Sequence, residues 1–79
     1  MGEETRKQVE KIIADVLGMD AAQVGPEFTY RDTDRWDSLK HMEIVTAIEQ
    51  NFNVTLMVDE MTRMTSVEDI VNILEQKMA

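Results

Sequence analysis

Asp37-Ser38-Leu39-Lys40-His41-Met42-Glu43-Ile44-Val45-Thr46-Ala47-Ile48-Glu49-Gln50-Asn51-Phe52 is the stretch whose reading decides the fold. A small hydroxyl stands at the mouth of a helix-period run, after a long segment that has no period. On a wheel turned by about 100° per residue, Ile44, Val45, Ile48 and Phe52 fall within about 100° of arc, the width of a core-facing stripe. Leu39 and Met42 lie on the other side, with Glu43, Thr46 and Gln50. The pattern predicts a helix over 38–52 with two apolar side chains on its polar face, beside the serine. Scattered exposed apolar residues are ordinary, but this adjacency makes Leu39 and Met42 a candidate docking surface. Either Asp37 or Ser38 can act as N-cap, a role worth about 1 kcal/mol. Unpaired N–H groups and the positive dipole end also make Ser38 a favourable place for a phosphate ester. Such a serine is better suited to covalent attachment than to nucleophilic attack.

Working outward, Val9, Ile12, Ile13, Val16 and Leu17 form an i, i+3, i+4, i+7, i+8 stripe, which predicts a first helix over about 4–17. Glu3 and Glu4 suit its start, and Gly18 suits a left-handed C′ stop. Residues 19–36 read as a long loop whose isolated apolar residues Met19, Val24, Phe28, Tyr30 and Trp36 cap the open end of a bundle. Loops of this length are uncommon unless functional or disordered, and three aromatics within nine residues argue against disorder. Thr65-Ser66-Val67-Glu68 reads as a capping box with Thr65 at the N-cap, opening a last helix striped by Val67, Ile70, Val71, Ile73, Leu74 and Met78. Lys77 suits its negative end. Val54–Val58 reads as an extended connection, since a lone strand has nowhere to place its backbone hydrogen bonds, and Asp59–Met64 as one short helical turn or two. The expected architecture is all-α: three main helices and a short fourth in one domain, 1–79.

Composition narrows the function. A chain of 79 residues buries only about 60% of its unfolded surface, which leaves little room for an enclosed multi-residue active site. Sixteen acidic against eight basic residues give a formal charge of −8. That balance repels nucleic acid and anionic lipid and favours partners with basic patches. No cysteine is present, so there is no thiolate nucleophile, disulfide or sulfur metal site. No apolar run reaches the length of a membrane span, and Met1-Gly2-Glu3-Glu4-Thr5-Arg6-Lys7 lacks a signal peptide's apolar segment. The expectation is a soluble, cytoplasmic monomer.

The residues also suggest three other chemistries. His41 one turn from Ser38, with Asp37 adjacent, invites a hydrolase triad. Asp37 neighbours the serine in sequence, however, and nothing orients the imidazole or builds an oxyanion hole. His41 is instead expected to shield the helix start or to titrate as a solvated side chain. Asp32, Asp34 and Glu43 match three positions of a calcium loop, but Trp36 and Asp37 fill two others wrongly. No metal site is expected. Met57, Met61 and Met64 offer either core filling or an adaptable lining for an acyl chain.

Asp37-Ser38-Leu39, then Met42-Glu43-Ile44-Val45, Ala47-Ile48-Glu49 and Phe52, with Thr65-Ser66-Val67 opening the last helix, resemble the acyl carrier proteins, the phosphopantetheine-binding carriers of fatty acid, polyketide and peptide assembly. The resemblance spans essentially the whole chain. It implies no catalytic residues in the chain itself. Ser38, in the Asp37-Ser38 motif, receives a 4′-phosphopantetheine arm from coenzyme A through a separate Mg²⁺-dependent phosphopantetheinyl transferase. The arm's thiol carries an acyl group as a thioester, and acyl-transferring or condensing enzymes dock on Leu39, Met42, Glu43, Thr46 and Glu49. Lys40, His41 and Gln50-Asn51 depart from the acidic pattern of fatty-acid carriers, and Trp36 stands where those often have a small residue. The Trp-Asp-Ser-Leu form is more similar to carriers of polyketide or other specialised pathways, of freestanding bacterial type. An aminoacyl or peptidyl carrier, or an unmodified carrier-like subunit, are the alternatives.

Overall fold

The computed structural model describes residues 2–78. Four helices follow one another: α1 Gly2–Leu17, α2 Ser38–Phe52, α3 Val58–Thr62 and α4 Val67–Met78. Among the described residues there is no strand. α1 packs against both α2 and α4. The stripes meet as their periods require: Val9, Ile12, Ile13 and Leu17 of α1, Ile44, Val45 and Ile48 of α2, and Val67, Ile70, Ile73 and Leu74 of α4 are buried together. Phe52 and Val71 pack at the margin of this core. Met78, read as part of the last stripe, is instead exposed, because it stands on the final turn of α4.

α1 ends as Gly18 suggests. Gly18 adopts φ +69°, which a side chain would strain, and Met19 N–H reaches back to the Ala14 carbonyl at 2.9 Å, the 6→1 bond of a Schellman turn. α1 has no basic residue in its last turn. The missing cation arrives from the long loop: Arg35 Nη1 donates to the carbonyls of Leu17 (3.2 Å) and Gly18 (2.7 Å). It thereby caps the negative helix end and ties the residues before α2 to α1.

The segment 19–36 is more structured than its lack of period implied. It contains two 3₁₀ turns, Ala21–Gln23 and Tyr30–Asp32. Thr29 Oγ1 accepts from Arg31 N–H, and Asp32 accepts from Thr29 N–H. Val24, Phe28 and Trp36 are buried and close the end of the bundle, whereas Tyr30 stays exposed. Backbone bonds from Tyr30 N–H to Thr65 O (3.0 Å) and from Val67 N–H to Phe28 O (3.0 Å) fasten the loop to the start of α4. Short turns stabilised by side-chain caps and distant backbone partners leave no hydrophobic period to read.

α4 starts one residue later than the Thr65 capping box requires. Ser66 is the N-cap, its Oγ accepting from Asp69 N–H at 3.0 Å, and Thr65 Oγ1 donates to the Asp69 carboxylate at 2.7 Å. Two adjacent hydroxyls made the register ambiguous. The backbone bond between Val67 and Phe28 decides it.

α3 is too short to be stable alone and is held from outside. Glu60 accepts from Met57 N–H at 2.8 Å and pairs with Lys77 Nζ of α4 at 2.9 Å. The Met57 N–H first, and then the Lys77 ammonium, hold the Glu60 carboxyl below its usual range. A depressed acid contributes stability above its unfolded value and loses it as pH falls through the folded value. Glu60→Gln keeps the bond to Met57 but removes the charge. The variant is therefore expected to melt below the wild type at neutral pH, with the gap closing as pH drops below about 4. Thermal melts of both proteins across that range check it, and a pH-independent gap would refute the charge argument.

Candidate functional site

Asp37 is the N-cap of α2, in extended conformation, its carboxylate accepting from Lys40 N–H at 2.9 Å and its carbonyl from His41 N–H at 2.8 Å. Ser38 is therefore the first helical residue. Its side chain is exposed and makes no hydrogen bond among the described residues. With Lys40 N–H taken by Asp37, the first-turn amides of Ser38 and Leu39 remain without acceptors among the described residues, at the positive end of α2. Ser38 stands on the rim of an open cleft of about 600 Å³ lined chiefly by Tyr30, Trp36, Met42, Thr62, Met64 and Thr65. The cleft is mainly apolar below and hydroxyl-bearing at its edge.

Leu39 (70% exposed), Met42 (51%), Glu43 and Thr46 lie together on the outer face of α2, along a shallow groove. Lys40 Nζ sits 3.6 Å from the Glu43 carboxylate, so the carboxylate of this strip is partly neutralised. Glu49 does not share the strip. It is half-buried, and its Oε2 accepts from Leu56 N–H at 2.9 Å, which pins the connection after α2. One oxygen of the Glu49 carboxylate thus serves the backbone.

His41 is neither a solvated side chain nor a base for Ser38. Trp36 Nε1 lies 3.0 Å from His41 Nδ1, and His41 Nε2 lies 2.8 Å from the Met61 carbonyl. An indole N–H can only donate and a carbonyl can only accept. These partners assign a neutral imidazole with its proton on Nε2. Both ring nitrogens are engaged, and the Asp37 carboxylate is committed to capping, so no triad is assembled. A signal for this was present on the wheel, where His41 falls about 60° round from Ile44, inside the core arc. Polarity led the reading to solvent. Tyr30, Thr62 and Thr65 were missed as cleft residues because no local pattern links the long loop to the stretch around the end of α3.

Asp32 caps Thr29, Glu43 pairs with Lys40, and no group of three acidic or histidine side chains suited to a metal occurs among the described residues. The three methionines separate: Met64 is fully buried, Met61 half-buried and Met57 exposed. Only Met64 lines the cleft.

Residues 7–74 match the model of the phosphopantetheine attachment site. The chain belongs to the acyl carrier protein family. It is 34% identical over 71 residues to the acyl carrier protein of Solidesulfovibrio magneticus, covering 90% of this chain and 91% of the relative. The acyl carrier protein of Clostridium acetobutylicum is 35% identical over 69 residues, covering 87% and 90%. That of Thermosynechococcus vestitus is 30% identical over 76 residues, covering 96% and 94%. A solution structure of the holo acyl carrier protein from Geobacter metallireducens superposes with TM-score 0.81 at 24% identity, covering 94% of this chain and 85% of that one. This last likeness concerns the fold. As a member of the family the chain is a carrier rather than an enzyme, bearing covalent 4′-phosphopantetheine and served by a phosphopantetheinyl transferase and acyl-handling enzymes. No described helix of this carrier is long and apolar enough to cross a membrane.

Proposed function

We infer that Ser38 is the residue that bears the arm, and that the carrier serves polyketide or other specialised acyl assembly rather than primary fatty acid synthesis. The observation that carries the attachment is the unengaged Ser38 hydroxyl on the first turn of α2, with free amides beside it and the cleft at its foot. The amides suit a phosphodiester. In loading, Ser38 Oγ attacks the β-phosphorus of coenzyme A and the pyrophosphate bond breaks. 3′,5′-ADP leaves, and the serine proton passes to base or solvent. The arm's thiol then brings the sulfur that this cysteine-free chain lacks.

The specialised pathway is supported by the outer strip of α2. Leu39 and Met42 dominate it, Lys40 offsets Glu43, and Glu49 is engaged elsewhere. A partner that relies on a dense basic patch finds little to grip there. One that reads an apolar pair with a single carboxylate finds Leu39, Met42, Glu43 and Thr46. The test is intact mass after incubation with coenzyme A, Mg²⁺ and a broad-specificity transferase, followed by acylation with primary fatty-acid and polyketide-type partners. Gain of one phosphopantetheine followed by efficient loading from the fatty-acid partner alone would refute the pathway assignment and leave the attachment standing.

A further inference from the structure

Three segments meet at the mouth of the cleft through one imidazole. Trp36 from the long loop donates to His41 Nδ1, His41 belongs to α2, and His41 Nε2 donates to Met61 O of α3. The imidazole also stacks on the indole, with ring centroids 6.2 Å apart and planes 24° from parallel. We propose that this Trp36–His41–Met61 bridge is a latch that keeps α3 closed on α2, making His41 a positioning residue that selects short or oxygenated acyl cargo, held in the open cleft, over long alkyl chains buried in the bundle.

The inference rests on Ser38 bearing the arm. From Ser38 the cleft leads down to Met64, which is fully buried, and the interior around it is filled by Ile44, Ile48 and Ile70, each fully buried as well. Packed interiors hold few voids larger than a water molecule, so an alkyl chain gains burial only if a helix moves aside. The movable helix is α3, five residues long, held by Glu60 to Lys77 on one side and by the Met61 carbonyl to His41 on the other. Moving it costs Met61 O the shorter of its two bonds, leaving it only Met64 N–H at 3.3 Å, and leaves the half-buried imidazole N–H without an acceptor, which opposes opening.

The cleft itself suits a different cargo. Among the residues lining the cleft, Thr62 Oγ1 donates to Asp59 O and Thr65 Oγ1 donates to Asp69, so each hydroxyl has committed its proton and keeps only acceptor capacity. Tyr30 Oη accepts from Arg31 Nε at 3.2 Å and keeps its own proton to donate. Beside the apolar surface of Trp36, Met42 and Met64, these groups fit hydroxyl, keto or amide functions on the arm or its acyl group.

The experiment loads acetyl- and octanoyl-phosphopantetheine from the matching acyl-coenzyme A and follows thioester cleavage by hydroxylamine. In the wild type the two thioesters are expected to be cleaved at rates within about twofold, with unchanged methyl signals for Ile44, Ile48 and Met64 and an unchanged indole signal from Trp36, the single tryptophan. In His41→Ala, octanoyl cleavage is expected to slow about tenfold relative to acetyl, as the chain enters the opened bundle and protects its thioester. General loosening of the fold changes both rates together and leaves their ratio unmoved. Trp36→Phe keeps an aromatic ring but removes the indole donor, and is expected to shift the ratio the same way by less. If His41→Ala does not fold, that ratio decides. A wild-type octanoyl thioester that is already protected, or a ratio identical in wild type and variants, overturns the latch. Absence of any mass gain on Ser38 overturns the attachment reading and the latch with it.

Discussion

Ser38→Ala is expected to abolish phosphopantetheine gain completely while leaving the helix bundle intact. The two halves of this outcome have separate causes. On the attachment proposed above, Oγ is the atom that forms the bond to phosphorus, and alanine offers no replacement. The fold does not depend on that oxygen: Asp37, not Ser38, caps α2 through Lys40 N–H, and the Ser38 side chain is exposed without a hydrogen bond among the described residues. Alanine is also a good helix former at an interior-like first-turn position. The stability change is expected to stay within about 0.5 kcal/mol, as for other surface substitutions away from caps and cores. Intact mass after transferase treatment reads the first half and a thermal melt the second. A Ser38→Ala protein that still gains one phosphopantetheine places the arm elsewhere. One that melts far below the wild type shows that the hydroxyl is structural.

Trp36→Ala is expected to bring the protein to the edge of unfolding. The indole is 6% exposed, stacks on Phe28 with centroids 6.2 Å apart, stacks on His41 at the same separation, and donates to His41 Nδ1. Truncating a buried aromatic to alanine costs about 3–5 kcal/mol. Domains of this size have only about 5–15 kcal/mol in all. With about 4–8 °C lost per kcal/mol, the midpoint should fall by at least about 12 °C, or the cooperative transition should vanish. The effect should reach beyond the side chain. Trp36 adjoins Arg35, which caps α1, and Asp37, which caps α2. Circular dichroism melts check the prediction, and a midpoint within a few degrees of wild type would show that the loop's anchor lies elsewhere.

These expectations separate what local pattern can carry from what it cannot. The three long helices were legible because each buries one continuous stripe, and a period of 3.6 residues is written in neighbouring positions. The exposed pair Leu39 and Met42 was legible for the same reason, being the complement of the stripe on α2. The bonds of His41 and Glu49 were not legible because each is a polar side chain whose partner lies in another segment: the Met61 carbonyl and the Leu56 amide. The start of α4 slipped by one residue because Thr65 and Ser66 are equally able caps, and a backbone bond from the long loop breaks the tie.

By itself, the sequence determined the helix order, the faces that meet, the acidic balance, the lack of its own thiol and the serine at the head of α2. All of these are properties of single residues or of short-range periodicity. Only the tertiary structure decided that Asp37 rather than Ser38 caps α2, that Arg35 closes α1, and that Trp36, His41 and Met61 form one bridge across the mouth of the cleft. Hydrogen bonds between polar groups far apart in the chain have no period. They exist only once hydrophobic burial has brought the segments together.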